Sequence, residues 1–259
     1  MSTSTEPVPK LTSHTASIPL GKQAQIFYRT AGAPCPYLPN RIERHILADL
    51  TGSNAEAIHN FLTTAGFRRS HHLIYRPSCL DCSACIPVRI ITAKFTPSRT
   101  QRRTFLRNSH LQANLIAAVA TQEQFDLFKQ YQKMRHDDGE MARMSFEDFR
   151  LMIEGSPVHT RIAEFRDSNG LLKAVCLLDI LKDGFSAVYS FFDPETPLQS
   201  LGTYVILWAI REAQAHQFSY IYLGYWVSGS PKMSYKIRFQ PLEQFSQGHW
   251  KPFSNGSVA

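Results

Sequence analysis

Residues 198–239 read LQSLGTYVILWAIREAQAHQFSYIYLGYWVSGSPKMSYKIRF, and this stretch orders the rest of the chain. Ser200 and Gly202 open an apolar run, Val205, Ile206, Leu207, Trp208 and Ile210, that is hydrophobic on every side of a helix. A helix of that kind belongs in an interior, not on a surface. After the polar exit from Arg211 to Gln217, Tyr220–Gly224 carries the β-branched and aromatic side chains of a central strand. Trp226, Lys232, Tyr235, Lys236 and Arg238 then interleave aromatic and cationic groups just past the expected strand end. Ligands of open α/β sheets bind beyond the carboxyl ends of strands, so a site is expected here.

Working back from this stretch, the second half alternates strands and helices. Strands are predicted at 113–120, 160–166, 172–181, 185–192 and 219–224, with Lys182-Asp183-Gly184 as the hairpin turn between the third and fourth. Helices are predicted at 122–136, 145–155 and 198–217. Ser145 followed by Asp148 resembles a capping box, and Gly155 ends that helix. In the first half a short helix is predicted from Asn40 to Leu50. A second is capped by Asn54, with Ile58, Phe61, Leu62 and Ala65 on one face and Gly66 as its stop. Strands follow at 72–76 and 86–91. The fold class is α/β (α+β): a cysteine-bearing α+β domain over 22–110 and an α/β domain over 111–252, with tails at 1–21 and 253–259.

The chain has 259 residues and a net charge of +7. Residues 1–110 carry 14 Lys/Arg against 5 Asp/Glu, or +9; residues 111–259 carry 14 against 16, or −2. Such asymmetry points to a polyanion, nucleic acid above all, met by the first half. Most of those first-half cations are Arg, the side chain suited to phosphate. Thr96-Pro97-Ser98 starts a helix on which Arg99, Arg102, Arg103 and Arg107 fall near one face, with no acidic residue between Asp81 and Glu123. A solvated face is the default reading of a charge run; the missing acidic balance favours RNA phosphate contact. No run reaches the ~18 apolar residues of a membrane span, and MSTSTEPVPK lacks a signal-peptide core. A cytoplasmic protein without membrane partners is expected.

Cys79, Cys82 and Cys85 are spaced C-x2-C-x2-C, and Cys35 lies among Pro34, Pro36 and Pro39 in a rigid turn. Clustered cysteines in a cytosolic chain more often bind metal than pair as disulfides. Four thiolates suit zinc or an iron–sulfur cluster, and plain buried thiols are the alternative. Cys176 sits in an apolar strand and reads as core.

The phosphate-loop, dinucleotide and nucleophile-elbow signatures are all absent. His71-His72, His136 with Asp137-Asp138, and His216 are isolated and read as structural or exposed. The strand–helix order of 172–224 is like that of the N-acyltransferases that use acetyl-CoA. Their Gly-rich pyrophosphate loop is replaced by Ser200-Leu201-Gly202-Thr203, which disfavours CoA and favours another acyl donor.

CPYLP (35–39), GFRRS (66–70), YRPSCLDCSACIPVRI (75–90), QRR (101–103), AVYSFFDP (187–194), SLGTY (200–204), YIYLGYW (220–226) and KMSYKIRFQPLE (232–243) occur in that order. With them the chain resembles the bacterial aspartate/glutamate leucyltransferases, which are similar to eukaryotic arginyl-tRNA–protein transferases. The resemblance implies a cysteine-bearing N-terminal domain followed by a GNAT-like domain. It also implies transfer of leucine from leucyl-tRNA to proteins beginning with Asp or Glu, marking them for degradation in the N-degron (N-end rule) pathway. Eukaryotic relatives are proposed to hold zinc or iron–sulfur at related cysteines; only Cys35 of their first pair is kept here. The chemistry itself requires no cofactor.

Aminolysis of an aminoacyl ester needs a positioned neutral amine, and α-amino groups titrate near pH 8. Tyr189, Ser190 and Asp193, with Ser200, Gly202 and Tyr204 on the donor side, are expected around the ester, and Asp179 is a second acidic candidate. Lys232, Tyr235, Lys236 and Arg238 are expected to bind the acidic acceptor. Arginyl transfer to the same acceptors, a GNAT-type enzyme with another carrier, and a non-catalytic RNA-binding protein are the rival readings.

Overall fold

The computed structural model describes residues 11–12, 17–20, 23–137, 139–196 and 199–254. Most of both expected tails, together with Asp138 and Leu198, lie outside the described residues. The first half contains short strands β1 (Leu11–Thr12), β2 (Ser17–Leu20), β3 (Gln23–Ile26), β4 (Tyr28–Thr30), β5 (Ala33–Pro34), β6 (Ile42–Glu43) and β7 (His45–Asp49). Helix α1 (Ala55–Thr64) follows, then β8 (Arg68–Ser70) and β9 (Leu73–Pro77). Strands β1, β4, β7, β9 and β8 form one sheet in that order. Its core is Phe27, Ala48, Leu50, Leu62 and Ile74, joined by Val158 from the second half.

The remaining elements are β10 (Cys85–Ile91), α2 (Arg99–Arg107), β11 (Gln112–Ala117), α3 (Gln122–Arg135), α4 (Phe146–Glu154), β12 (Thr160–Arg166), β13 (Leu172–Ile180) and β14 (Gly184–Phe192). Then come α5 (Leu201–Ala215), β15 (Tyr220–Val227), a 3-10 segment over Pro231–Arg238, β16 (Leu242–Ser246) and β17 (His249–Pro252). Eight strands form the large sheet in the order β11-β12-β13-β14-β15-β10-β16-β17. Strand β10, which precedes residue 110, is threaded between β15 and β16 and antiparallel to both.

Both faces of this sheet are covered, so β13 is buried at nearly every position and its alternation separates two cores. Ala174, Cys176 and Leu178 face α5, whose Val205, Leu207, Ala209 and Ile210 are buried as its all-round hydrophobicity requires. Val175 and Leu177 face α3 and α4. Phe128, Phe149, Phe165, Phe185 and Phe191 are each under 2 % exposed. Burial of side chains of this size stabilises by about 1.5–3 kcal/mol apiece.

Strands β14 and β15 are parallel, and α5 is the crossover such a pair needs. They pair only over Gly184–Ser186 and Tyr220–Tyr222, then part. Where they part, the register of β14 with β13 slips, leaving Val188 opposite no residue of either neighbouring strand. A bulge of this kind bends a strand and re-aims its side chains. Val188 and Tyr189 consequently both pack toward the α3 core, whereas Ala187 packs toward α5.

The predicted second-half elements form with small shifts at their ends. The Ser145–Asp148 capping box is made in both directions, and Ser98, not Pro97, caps α2 with Gln101 as its partner. Three expectations are corrected. Residues 42–43 and 45–49 are strands where a helix over 40–50 is expected, because Ile46 and Leu47 are claimed by β4 and β9 on either side and Ala48 by β9, which overrides local helix preference. Helix α1 buries Ala55, His59, Leu62 and Thr63 and leaves Phe61 at the surface, so its buried face is turned from the predicted one. Strand β15 also runs on to Val227, which puts Trp226 within it.

Candidate active site

The parting of β14 and β15 opens a cavity of about 990 Å³ that passes through the large sheet. On the α5 side its walls are apolar: Cys176, Ala187, Val205, Ala209, Ile221 and Leu223. On the other side the walls are polar. Tyr189 and Arg68 meet Gln132, Arg135 and His136 from the end of α3, and Lys232, Tyr235 and Lys236 from the 3-10 segment. Ser190, paired across the sheet with Cys176, completes the β14 wall. The two segments expected to share a site, 185–193 and 226–238, therefore line one cavity.

Arg68 reaches this cavity from the other sheet. It leaves β8, passes Gly224 and donates to the Val188 carbonyl at the bulge. Gly224 has φ +67°, and a Cβ there would lie 2.6 Å from Arg68 Nη1. Only glycine both adopts that backbone and leaves the passage open. Arg68 belongs to the GFRRS stretch, and its passage beside Gly224 has no signal in local pattern.

The Lys236 amine lies in a residue only 3 % exposed and donates to the Tyr225 carbonyl. Burial first, and then the nearby Arg68 cation, hold its pKa well below the usual lysine value. A lysine so placed is neutral far more readily than a surface one. The Tyr189 hydroxyl accepts a 2.6 Å bond from Gln132 Nε2, and burial raises its pKa. It keeps its proton and can donate it into the cavity. His136, at the rim with Lys232 and Arg135, is held below the usual histidine pKa by burial and then by those two cations.

Several expected site residues lie elsewhere. The Asp179 carboxylate is fully buried and takes Arg69 Nε at 2.6 Å, Arg69 Nη2 at 2.7 Å and Thr160 Oγ1 at 2.7 Å. Burial opposes its charge, but contacts with His59 and Arg69 outweigh this and keep its pKa below the carboxylate norm. It does not line the cavity. Asp193 pairs with Lys173 at 2.9 Å and accepts from the Glu195 amide, so its carboxylate is occupied in a turn. Tyr204 is core, packed on Phe105 and Phe165, and Gly202 lies against Phe192. Ser200 is the N-cap residue of α5 in a left-handed conformation. None of these three lines the cavity, which meets α5 at Val205, Ile206 and Ala209.

Arg238 is exposed, and its carbonyl accepts Gln101 Nε2 of α2 at 2.9 Å. This bond sets the helix bearing exposed Arg99, Arg102, Arg103 and Arg107 against the segment that forms one cavity wall. The arginine face of α2 and the cleft thus adjoin.

Cys35, Cys79, Cys82 and Cys85 line a smaller cavity of about 370 Å³ with Glu43 and His45. All four are free thiols, and burial followed by the neighbouring thiols pushes Cys85 up to about 12. Among the described residues no three His, Cys, Asp or Glu side chains form a group able to hold a metal ion. The spacing of Cys79, Cys82 and Cys85 left the reach of Cys35 open; the four thiols line one cavity but do not meet as a metal-ligand set. Tyr37 and Glu43 line both cavities.

The cleft runs from an apolar end on α5 to an end where Arg68, Arg135, Lys232 and Lys236 stand with Glu43, Asp137, Glu140 and the Tyr189 hydroxyl. Residues 33–103 match the family model described as arginine-tRNA-protein transferase, N terminus, and residues 123–246 match its C-terminus counterpart. The aspartate/glutamate leucyltransferase of Paramagnetospirillum magneticum is 50 % identical over 92 % of this chain and 98 % of its own length. That of Granulibacter bethesdensis is 48 % identical over 90 % and 88 %. The chain belongs to the aspartate/glutamate leucyltransferase family, within the aminoacyl-tRNA–protein transferases. Among solved structures, L-PGS from Bacillus licheniformis aligns with a TM-score of 0.49 at 12 % identity, covering 68 % of this chain and 62 % of that one. FemX aligns at 0.47 and 8 %, covering 88 % and 84 %. No helix among the described residues is long and apolar enough to cross a membrane.

Proposed function

We propose that this protein transfers leucine from leucyl-tRNA to the α-amino group of proteins beginning with Asp or Glu. The observation that carries this reading is one cavity with an apolar wall on α5 and Arg68 and Lys232 at its other end. The α5 wall holds no carboxylate, which suits a leucyl and not an arginyl side chain; at the other end Arg68, Arg135, Lys232 and Lys236 outnumber Glu43, Asp137 and Glu140, which suits an acidic acceptor. The names of the relatives support the same donor and acceptors. The Asp or Glu carboxylate is taken by Arg68, which leaves the acceptor nitrogen beside Lys236. That nitrogen attacks the ester carbonyl, and Lys236 takes the proton it sheds as the C–N bond forms. Tyr189 donates to the developing oxyanion. Collapse of the intermediate breaks the bond to the ribose oxygen, which receives the proton from Lys236 and departs with the tRNA.

Incubation with leucyl-tRNA or arginyl-tRNA and peptides beginning with Asp, Glu, Asn or Lys tests the reading by mass. Leucine added to the Asp and Glu peptides is expected. Arginine addition instead, or no extension of either peptide, overturns it.

The arginine face of α2 is assigned to tRNA phosphates. Replacing Arg99, Arg102 and Arg103 together with alanine is expected to weaken leucyl-tRNA binding and flatten log K against log salt. Each lost phosphate contact accounts for roughly 0.7–0.9 of slope. A slope identical to that of the unaltered protein removes these residues from the interface.

A further inference from the structure

Resting on the assignment of Arg68 to the acceptor carboxylate, we infer that Asp179 and Arg69 form a positioning device that sets where Arg68 stands. Arg68 and Arg69 are consecutive in β8 and so leave it on opposite faces. Arg69 is anchored: Nε and Nη2 fork onto Asp179 at 2.6 and 2.7 Å, and Nη1 donates to the His71 carbonyl at 2.8 Å. Thr160 Oγ1 fixes the same carboxylate at 2.7 Å. His59 Nε2 stands 3.4 Å from Asp179 Oδ2 without aligned hydrogen-bond geometry. The Arg69 and Asp179 side chains are at most 1 % exposed.

Strand β8 is three residues long and lies at the edge of its own sheet, held there by β9 alone. Its position against β14 therefore needs a second fixed point. The bidentate fork supplies one, because it permits a single relative orientation of guanidinium and carboxylate. It joins β8 to β13 while Arg68, one residue earlier, crosses Gly224 to reach Val188. An apolar pair would hold the two halves together as well or better, since buried ion pairs add little stability over hydrophobic ones. What the fork adds is direction, and the group it directs is the next residue in the chain.

The test uses the full chain with leucyl-tRNA and matched peptides beginning with Asp or Asn. Arg69→Lys keeps a cation against Asp179 but loses the fork. It is expected to lower the Asp-over-Asn ratio of kcat/KM roughly ten- to a hundred-fold, through the KM of the Asp peptide, with the KM for leucyl-tRNA unchanged. A merely structural role lowers the rate with both peptides equally; an unchanged ratio overturns the inference. Arg69→Met combined with Asp179→Leu fills the site with apolar side chains, so a poorly folding single variant does not decide the matter. The same fall in ratio is expected of it, and an unchanged ratio counts against the device. Arg68→Ala separates the two claims. If it too leaves the ratio untouched, the assignment of Arg68 has failed and the device fails with it. If Arg68→Ala collapses the ratio and neither Arg69 variant moves it, only the positioning role is lost.

Discussion

Arg68→Ala lowers kcat/KM for an Asp-initiated peptide by roughly thirty- to several thousand-fold while leaving the KM for leucyl-tRNA in place. The range corresponds to the ~2–5 kcal/mol lost when one partner of a buried, hydrogen-bonded charge pair is removed. The guanidinium cannot be replaced by water without cost, because its Nη2 also holds the Val188 carbonyl at the mouth of the parted strands. Peptides beginning with Asn, which offer no charge, lose far less. Arg68→Lys keeps the charge but not the planar fork, and is expected to recover only part of the activity. Steady-state kinetics on the two peptide series check this. Equal losses for the Asp and Asn peptides would show that Arg68 serves the fold or the ester and not the acidic side chain.

Lys236→Met is the second large effect, a fall of about 10²–10⁴ in kcat/KM, the usual contribution of a positioned base. The pH profile distinguishes this from loss of a binding contact. Every form of the enzyme needs a neutral acceptor amine, so the rate falls tenfold per pH unit below about 8. The unaltered enzyme also needs a neutral Lys236. Burial and Arg68 set that group well below the ordinary lysine pKa, so its titration is a second limb. On the acid side of both, the unaltered enzyme loses two decades per pH unit and Lys236→Met only one. A variant with the same limiting slope as the unaltered enzyme would exclude Lys236 as the base. Methionine matches the aliphatic stem, so packing around the 3-10 segment is expected to survive.

Much of the architecture could be read from local pattern, and the particular residues show why. The all-round apolar face of 205–210 announced a buried helix, and the Lys182-Asp183-Gly184 turn announced the hairpin between 172–181 and 185–192. Both are short-range signals. Residues 42–49 defeated the same method because their strand state depends on β4 and β9, which the eight residues cannot encode alone. The site was legible where residue type and place coincide: Tyr189, Ser190, Lys232, Tyr235 and Lys236 all line the cavity. Asp179 misled because a carboxylate in an apolar strand reads equally as a catalytic acid or as half of a buried pair. Its partner Arg69 lies 110 residues away. Arg68 was unreadable for a similar reason, since its position depends on a missing Cβ at Gly224.

Threading β10 between β15 and β16 has a consequence for how the protein is made. Strand β10 leaves the ribosome early, with Val88 and Ile90 destined for the interior, and its two neighbours are translated well over a hundred residues later. Until then its edges stay unpaired and its side chains wet, a state open to wrong partners. Release of the carboxyl-terminal hairpin β16–β17 is therefore the event that seals the large sheet. Truncated products ending before it should be left without a finished transferase half, and protease or chaperone surveillance would meet them with the β16-facing edge of β10 still bare.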